Sequence, residues 1–73
     1  MSSRLPVLSG RQVVTALTRA GFATVGQKGS HVKLRHSDGR TAVVPLHREL
    51  AVGTLRSILR QCQWTTDDLM ELL

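Results

Sequence analysis

Seventy-three residues, 41% hydrophobic and 21% charged, suffice for one small domain spanning residues 1–73, with a thin core, since a chain this short hides only about 60% of the surface its unfolded form exposes. Ten Lys and Arg oppose five Asp and Glu, for a net charge of +5. That composition excludes a disordered tail, and no apolar run approaches membrane-spanning length. Asp67, Asp68 and Glu71 sit near the C-terminus, leaving only Asp38 and Glu49 to face the cations of the first sixty residues. Nucleic acid is the leading partner class, because clustered cations release counterions from phosphates; an acidic protein partner fits the same charge. The lone Cys62 cannot form an internal disulfide, and Pro6 interrupts the short apolar stretch from Leu5 to Leu8 before it reaches signal-peptide length. A cytoplasmic protein is therefore expected.

Ser9 followed by Gln12 has capping-box spacing, and Leu8 with Val13 occupies the positions of a hydrophobic staple. A helix is predicted from Gly10 to Ala20, with Val13, Ala16, Leu17 and Ala20 on its apolar stripe and Gly21 as its C-terminal stop. Phe22 to Gln27 is a short β-prone stretch weakened by Gly26, and the turn Lys28-Gly29-Ser30 joins it to the strand His31-Val32-Lys33-Leu34-Arg35. Asp38-Gly39 marks a tight second turn, after which Thr41 to Val44 forms a third strand. Pro45 cannot donate to a sheet ladder, so this strand ends there or lies at an edge.

Leu46 to Val52 is predicted as a loop, and Gly53-Thr54 opens a second helix with Leu55, Ile58, Leu59 and Cys62 on its stripe. Thr65 caps a short terminal helix, its first-turn acids complementing the positive helix end, with Trp64 stapled to Leu69. The expected fold class is α+β: an α-β-β-β-α arrangement around a three-stranded antiparallel meander, plus a small extra helix. The two longer helices cover one face of the sheet and leave the other open.

On the second strand Val32 and Leu34 point to one face while His31, Lys33 and Arg35 point to the other. Gly29 and Ser30 leave little bulk beside the imidazole, so another chain's backbone can approach closely. This arrangement suits a phosphate-bearing partner. A solvent-exposed strand histidine is the alternative reading of His31. His36 shares the parity of Val32 and Leu34 and is expected at the surface or core edge. His47 has the chemistry of a second acid or base, although bracing the next helix is the commoner role for a loop histidine. Arg56 and Arg60 can track phosphates, but a solvated helix face is the usual outcome. His31 and His36 project from opposite faces and Cys62 lies on a helix stripe, which disfavours a metal site, and the apolar stripes are core rather than a cofactor box.

The residues also resemble a known family, the HicA-type toxins of toxin–antitoxin modules. The matching stretches are Leu8-Ser9-Gly10 with Val13 and Ala16-Leu17, Ala20-Gly21-Phe22, Gln27-Lys28-Gly29-Ser30-His31, Asp38-Gly39-Arg40, Val44-Pro45-Leu46-His47 and Gly53-Thr54-Leu55-Arg56-Ser57-Ile58-Leu59. The resemblance implies a double-stranded-RNA-binding-domain-like fold, a ribonuclease that cleaves messenger RNA, and neutralisation by a HicB-type antitoxin covering the active site. The family's catalytic histidine in the Gly-Ser-His triplet maps onto His31. Many members carry a second histidine directly after it, where this chain has Val32.

RNA carries its own nucleophile, so such an enzyme needs only to move the 2′-hydroxyl proton, stabilise the charge growing on phosphorus and protonate the leaving oxygen. Neither a metal nor a small-molecule cofactor is required. An imidazole, with an ordinary pKa near 6.5, serves as general acid or base and contributes about 10² to 10⁴ in rate. His31 takes that role, with Lys28, Gly29, Ser30, Lys33 and Arg35 as the RNA-binding set. Two other readings use the same surface: a non-catalytic RNA-binding module, and a decayed toxin kept only to bind its antitoxin, for which Val43 is a plausible apolar contact. Replacing His31 separates catalysis from binding.

Overall fold

The computed structural model describes residues 5–73; the first four residues of the expected domain lie outside the described residues. The elements are α1 (Gly10–Arg19), β1 (Phe22–Lys28), β2 (His31–His36), β3 (Thr41–Pro45), α2 (Val52–Cys62) and α3 (Thr66–Leu72). The sheet has the order β1-β2-β3, with both pairings antiparallel. This is the α+β arrangement that the sequence implies, and no helix of the described residues is long and apolar enough to cross a membrane.

Local chemistry sets the ends of the helices. Ser9 accepts the Gln12 backbone N–H while the Gln12 side chain accepts the Ser9 N–H, a reciprocal capping box that satisfies two otherwise unpaired donors. Thr65 and Asp68 repeat the device at α3. Helix α2 begins at Val52, one residue before the expected Gly53, from an Ala51 N-cap that makes no side-chain bond. It closes on Gln63 in the left-handed conformation (φ 59°), whose N–H reaches Arg60 O while the Trp64 N–H reaches Leu59 O. That pair of bonds is a Schellman closure achieved without glycine. It turns the chain so that Trp64 meets Phe22 edge-to-face at 5.8 Å.

The core lies between the helices and one face of the sheet. Val13, Ala16 and Leu17 of α1 and Leu55, Ile58, Leu59 and Cys62 of α2 bury against Phe22, Val32, Leu34, Ala42 and Val44, and Leu69 of α3 joins them. Burial pushes the Cys62 thiol up to about 11, so it is an unreactive filler. Strand β3 is an edge strand, as its terminal proline allows. Its Val43 N–H, directed away from β2, donates to Gln61 Oε1 of α2 at 3.0 Å, which occupies part of the open edge.

Gly10 is where the fold is tightest. A Cβ there would overlap the Pro45 carbonyl oxygen and approach Leu46 Cα to 2.9 Å. The close approach lets the Gly10 N–H donate to His47 O at 2.9 Å, while the Leu50 N–H donates to Leu8 O at 2.8 Å. Together these bonds clamp the β3–α2 loop to the start of α1. Alanine ordinarily favours a helix over glycine by about 1 kcal/mol. Here the clash is with backbone that cannot swing aside, and overpacking costs about 1–3 kcal/mol. Gly10→Ala is expected to lower Tm by about 5 °C or more in a thermal melt, since about 1 kcal/mol moves Tm by about 4–8 °C in a domain of this size.

A second tie joins the β2–β3 turn to the end of α2. Asp38 accepts from Arg40 Nε at 2.8 Å and from the Arg40 backbone N–H at 3.0 Å, and Arg40 Nη1 reaches Cys62 O at 2.7 Å. The Arg40 side-chain bond, followed by its backbone bond, holds the Asp38 carboxyl down to about 2, below its ordinary 3.8. A carboxylate depressed in the folded state contributes stability that is complete above the unfolded value and is lost as pH falls through the folded one. Thermal melts from pH 5 down to pH 2 are therefore expected to show a smaller decline for Asp38→Asn than for wild type, the difference opening between about pH 4 and pH 2.

Candidate nucleic-acid interface and acid–base site

Strand β2 is central, so each of its residues has a neighbour on both sides. Val32 and Leu34 are 5% and 0% exposed, whereas His31, Lys33 and Arg35 are exposed on the opposite face. Directly paired residues in an antiparallel sheet share a face. The register sets Lys28 and Pro45 beside His31, Gly26 and Val43 beside Lys33, and Ala23 and Thr41 beside Arg35. Apart from Pro45, which is buried, these residues form one surface free of helices.

Lys28 reaches that surface through an irregularity in β1. Thr24 pairs with Leu34 and Gly26 with Lys33, so Val25 is an extra residue, a β-bulge. Simple alternation from the buried Phe22 would put Lys28 on the helix side. The bulge shifts the phase by one, and Lys28 comes to stand opposite His31. Gly26, which marks a weak point in the sequence, is the residue at which the register changes.

His31, Lys28, Lys33, Gly26, Gln27 and Val43 line an open groove of about 380 Å³. Arg35 shares the face but not the groove; four residues along the strand set it about 13 Å from His31. Gly29 adopts a left-handed φ of 59° in the two-residue turn, and nothing lies within 4 Å of where its Cβ would be. The Ser30 carbonyl accepts the Leu46 N–H at 2.7 Å, which continues the β2–β3 pairing past Pro45 and guides the chain toward His47. Of the expected site residues, the fold thus gathers Lys28, His31 and Lys33, places Gly29 and Ser30 at the rim, and leaves Arg35 at the far end of the same face.

The sequence gives no local signal for the position of the His47 ring. It is exposed, and its centroid lies 6.4 Å from that of His31, with the ring planes 74° apart. What braces the neighbouring helix is the His47 carbonyl, through the Gly10 N–H, not the imidazole. The ring lines a second, smaller depression with Ser9, Arg11, Leu46 and Arg48. His36 instead packs edge-on against Phe22 at 5.1 Å on the core side, and its Nδ1 accepts the Asp38 N–H at 3.1 Å. It takes no part in the open face. Arg56 and Arg60 are exposed on α2, away from the groove lining.

Chemically, the open face offers an exposed imidazole and two ammonium groups along one open groove. The groups suit a phosphodiester: cations for its charge and a nitrogen base for proton transfer. Among the described residues, no three His, Cys, Asp or Glu side chains are grouped as a metal-ligand set. A family model described as "HicA toxin of bacterial toxin-antitoxin" matches residues 10–64, a span that contains every residue of the groove and also His47. No curated protein matches the chain.

Proposed function

The chain belongs to the HicA family, toxins of bacterial toxin–antitoxin modules, and from that premise we propose that it is a messenger-RNA endoribonuclease whose catalytic group is His31. The observation that carries this reading is the placement of His31 on the helix-free face, directly across from Lys28 and two residues from Lys33, in one groove.

RNA lies along the groove with a phosphate beside His31. The 2′-hydroxyl attacks the adjacent phosphorus, and His31 accepts a proton from the entering oxygen or supplies one to the leaving oxygen. Lys28 and Lys33 offset the negative charge that grows on the non-bridging oxygens. The open turn at Gly29 and Ser30 lets the sugar-phosphate backbone approach against little side-chain bulk. Arg35 binds a phosphate further along the strand. No metal or other cofactor is needed in this scheme, because nucleophile and leaving group both belong to the substrate.

The partner antitoxin, in this reading of HicB type, occludes the same face. Its acidic groups meet Lys28, Lys33 and Arg35, and an apolar group covers Val43, which is 39% exposed between them. RNA and antitoxin then compete for one surface, so inhibition needs no conformational change in the toxin.

The deciding experiment uses metal-free purified protein, a short RNA, and a matched RNA with one deoxyribose. Wild type is expected to cleave the RNA and to stop at the deoxy position, and His31→Ala to lose at least about 10²-fold in rate. Equal cleavage by the two proteins would overturn the assignment of His31; RNA binding without cleavage would favour a binding module; absence of both would favour a protein-interaction domain.

Binding offers a second prediction. Lys33→Ala is expected to weaken RNA binding and to reduce the slope of log affinity against log salt by about 0.7, the share of one phosphate contact on a single strand. Arg60→Ala, on the α2 surface, is expected to leave that slope unchanged. Filter binding or fluorescence anisotropy across a salt series measures both.

A further inference from the structure

We infer that His47 is a second catalytic residue, so that proton transfer to and from the phosphodiester is divided between two imidazoles, one on β2 and one in the β3–α2 loop. This inference rests on the ribonuclease reading above and extends its site.

The two rings converge from elements distant in sequence and are held there by backbone bonds. Ser30 O to Leu46 N, and His47 O to Gly10 N, fix the chain on either side of the approach to His47. The separation of 6.4 Å between centroids is informative. An N–H···N bond needs heavy atoms within about 3.2 Å, and no such bond joins the rings; among the described residues neither imidazole has a hydrogen-bond partner. Both remain available to a third molecule. An oxygen bonded to a ring nitrogen lies about 4 Å from the ring centre, given a contact of about 2.8 Å. Two such radii overlap across 6.4 Å, so one phosphodiester can touch both rings at once.

The chemistry requires two groups. In an in-line displacement the entering and leaving oxygens lie on opposite sides of phosphorus. One ring cannot face both at the same moment. With two, the O2′–H bond breaks and its proton passes to one imidazole as the O2′–P bond forms. The P–O5′ bond breaks and O5′ takes a proton from the other ring. The products are a 2′,3′-cyclic phosphate and a 5′-hydroxyl, and exchange with solvent resets both exposed rings. Arg11 and Arg48, which line the depression beside His47, extend the cationic surface to the far side of that phosphate.

The charged groups around the pair are Lys28 on β1, Lys33 on β2, Arg11 on α1 and Arg48 and Glu49 in the loop. Histidine is the only side-chain type that ordinarily changes charge between pH 5 and 8, so two-ring catalysis has a recognisable pH signature.

The test measures kcat and KM for a dinucleotide RNA from pH 5 to 8.5 with wild type, His47→Ala and His47→Gln. Because the ring is exposed and its structural bond is made by the backbone, both variants are expected to keep the wild-type Tm. The expected result is a bell-shaped kcat/KM profile for wild type. Both variants should lose about 10²-fold or more in kcat, with KM little changed and one limb of the bell gone; glutamine restores hydrogen bonding but cannot transfer a proton. Wild-type kcat with both limbs retained, or a loss confined to KM, would overturn the role of His47 while leaving the ribonuclease reading intact. A wild type that does not cleave overturns both.

Discussion

Val32 and Leu34 bury their side chains from the central strand into the gap between sheet and helices, and the period of two then leaves His31, Lys33 and Arg35 facing out. A slip of one residue would carry the cations into the core and the aliphatic groups into water. Burying an unpaired Lys or Arg costs far more than the few kcal/mol by which a domain this small is stable. The register is therefore strongly specified. Because β2 is hydrogen-bonded on both sides, the orientation of His31 is as secure as the core itself.

Around this strand the molecule uses two irregularities to complete the open face. The bulge at Val25 and Gly26 reverses the phase of β1 and brings Lys28 opposite His31. The contact of Gly10 with Pro45 and Leu46 draws the β3–α2 loop against α1 and delivers His47 to the same end of the sheet. Only the first of these glycines, Gly10, is needed for its lack of a side chain. At Gly10 the space is occupied by backbone; at Gly26 the space is open and the strand simply changes phase.

Charge is divided along similar lines. Asp38 is engaged by Arg40 at the β2–β3 turn, and Asp67 and Asp68 stand in the first turn of α3, where the helix end favours acids. Neither location lies in the groove. The lysines beside His31 thus face solvent without a neighbouring carboxylate in the groove lining, a condition that favours a polyanion or an acidic protein surface over a neutral ligand. In the proposed scheme, substrate and antitoxin are drawn to one face by the same field.

The sequence by itself determined what depends on neighbours within a few residues: the capping boxes of Ser9–Gln12 and Thr65–Asp68, the turns at Gly29 and Gly39, the three-stranded meander and the alternation that turns His31 outward. Backbone sterics and short side-chain bonds act at that range, and the chain carries their signals directly. The tertiary structure alone decided that His47 stands beside His31, that Gln61 occupies the β3 edge at Val43, that Arg40 reaches the end of α2, and that Lys28 belongs to the open face. The first three depend on groups brought together across at least fifteen residues of intervening chain, where no periodicity connects them. The last depends on a bulge whose only mark in the sequence is a glycine, and a glycine says that the strand can change phase without saying that it does.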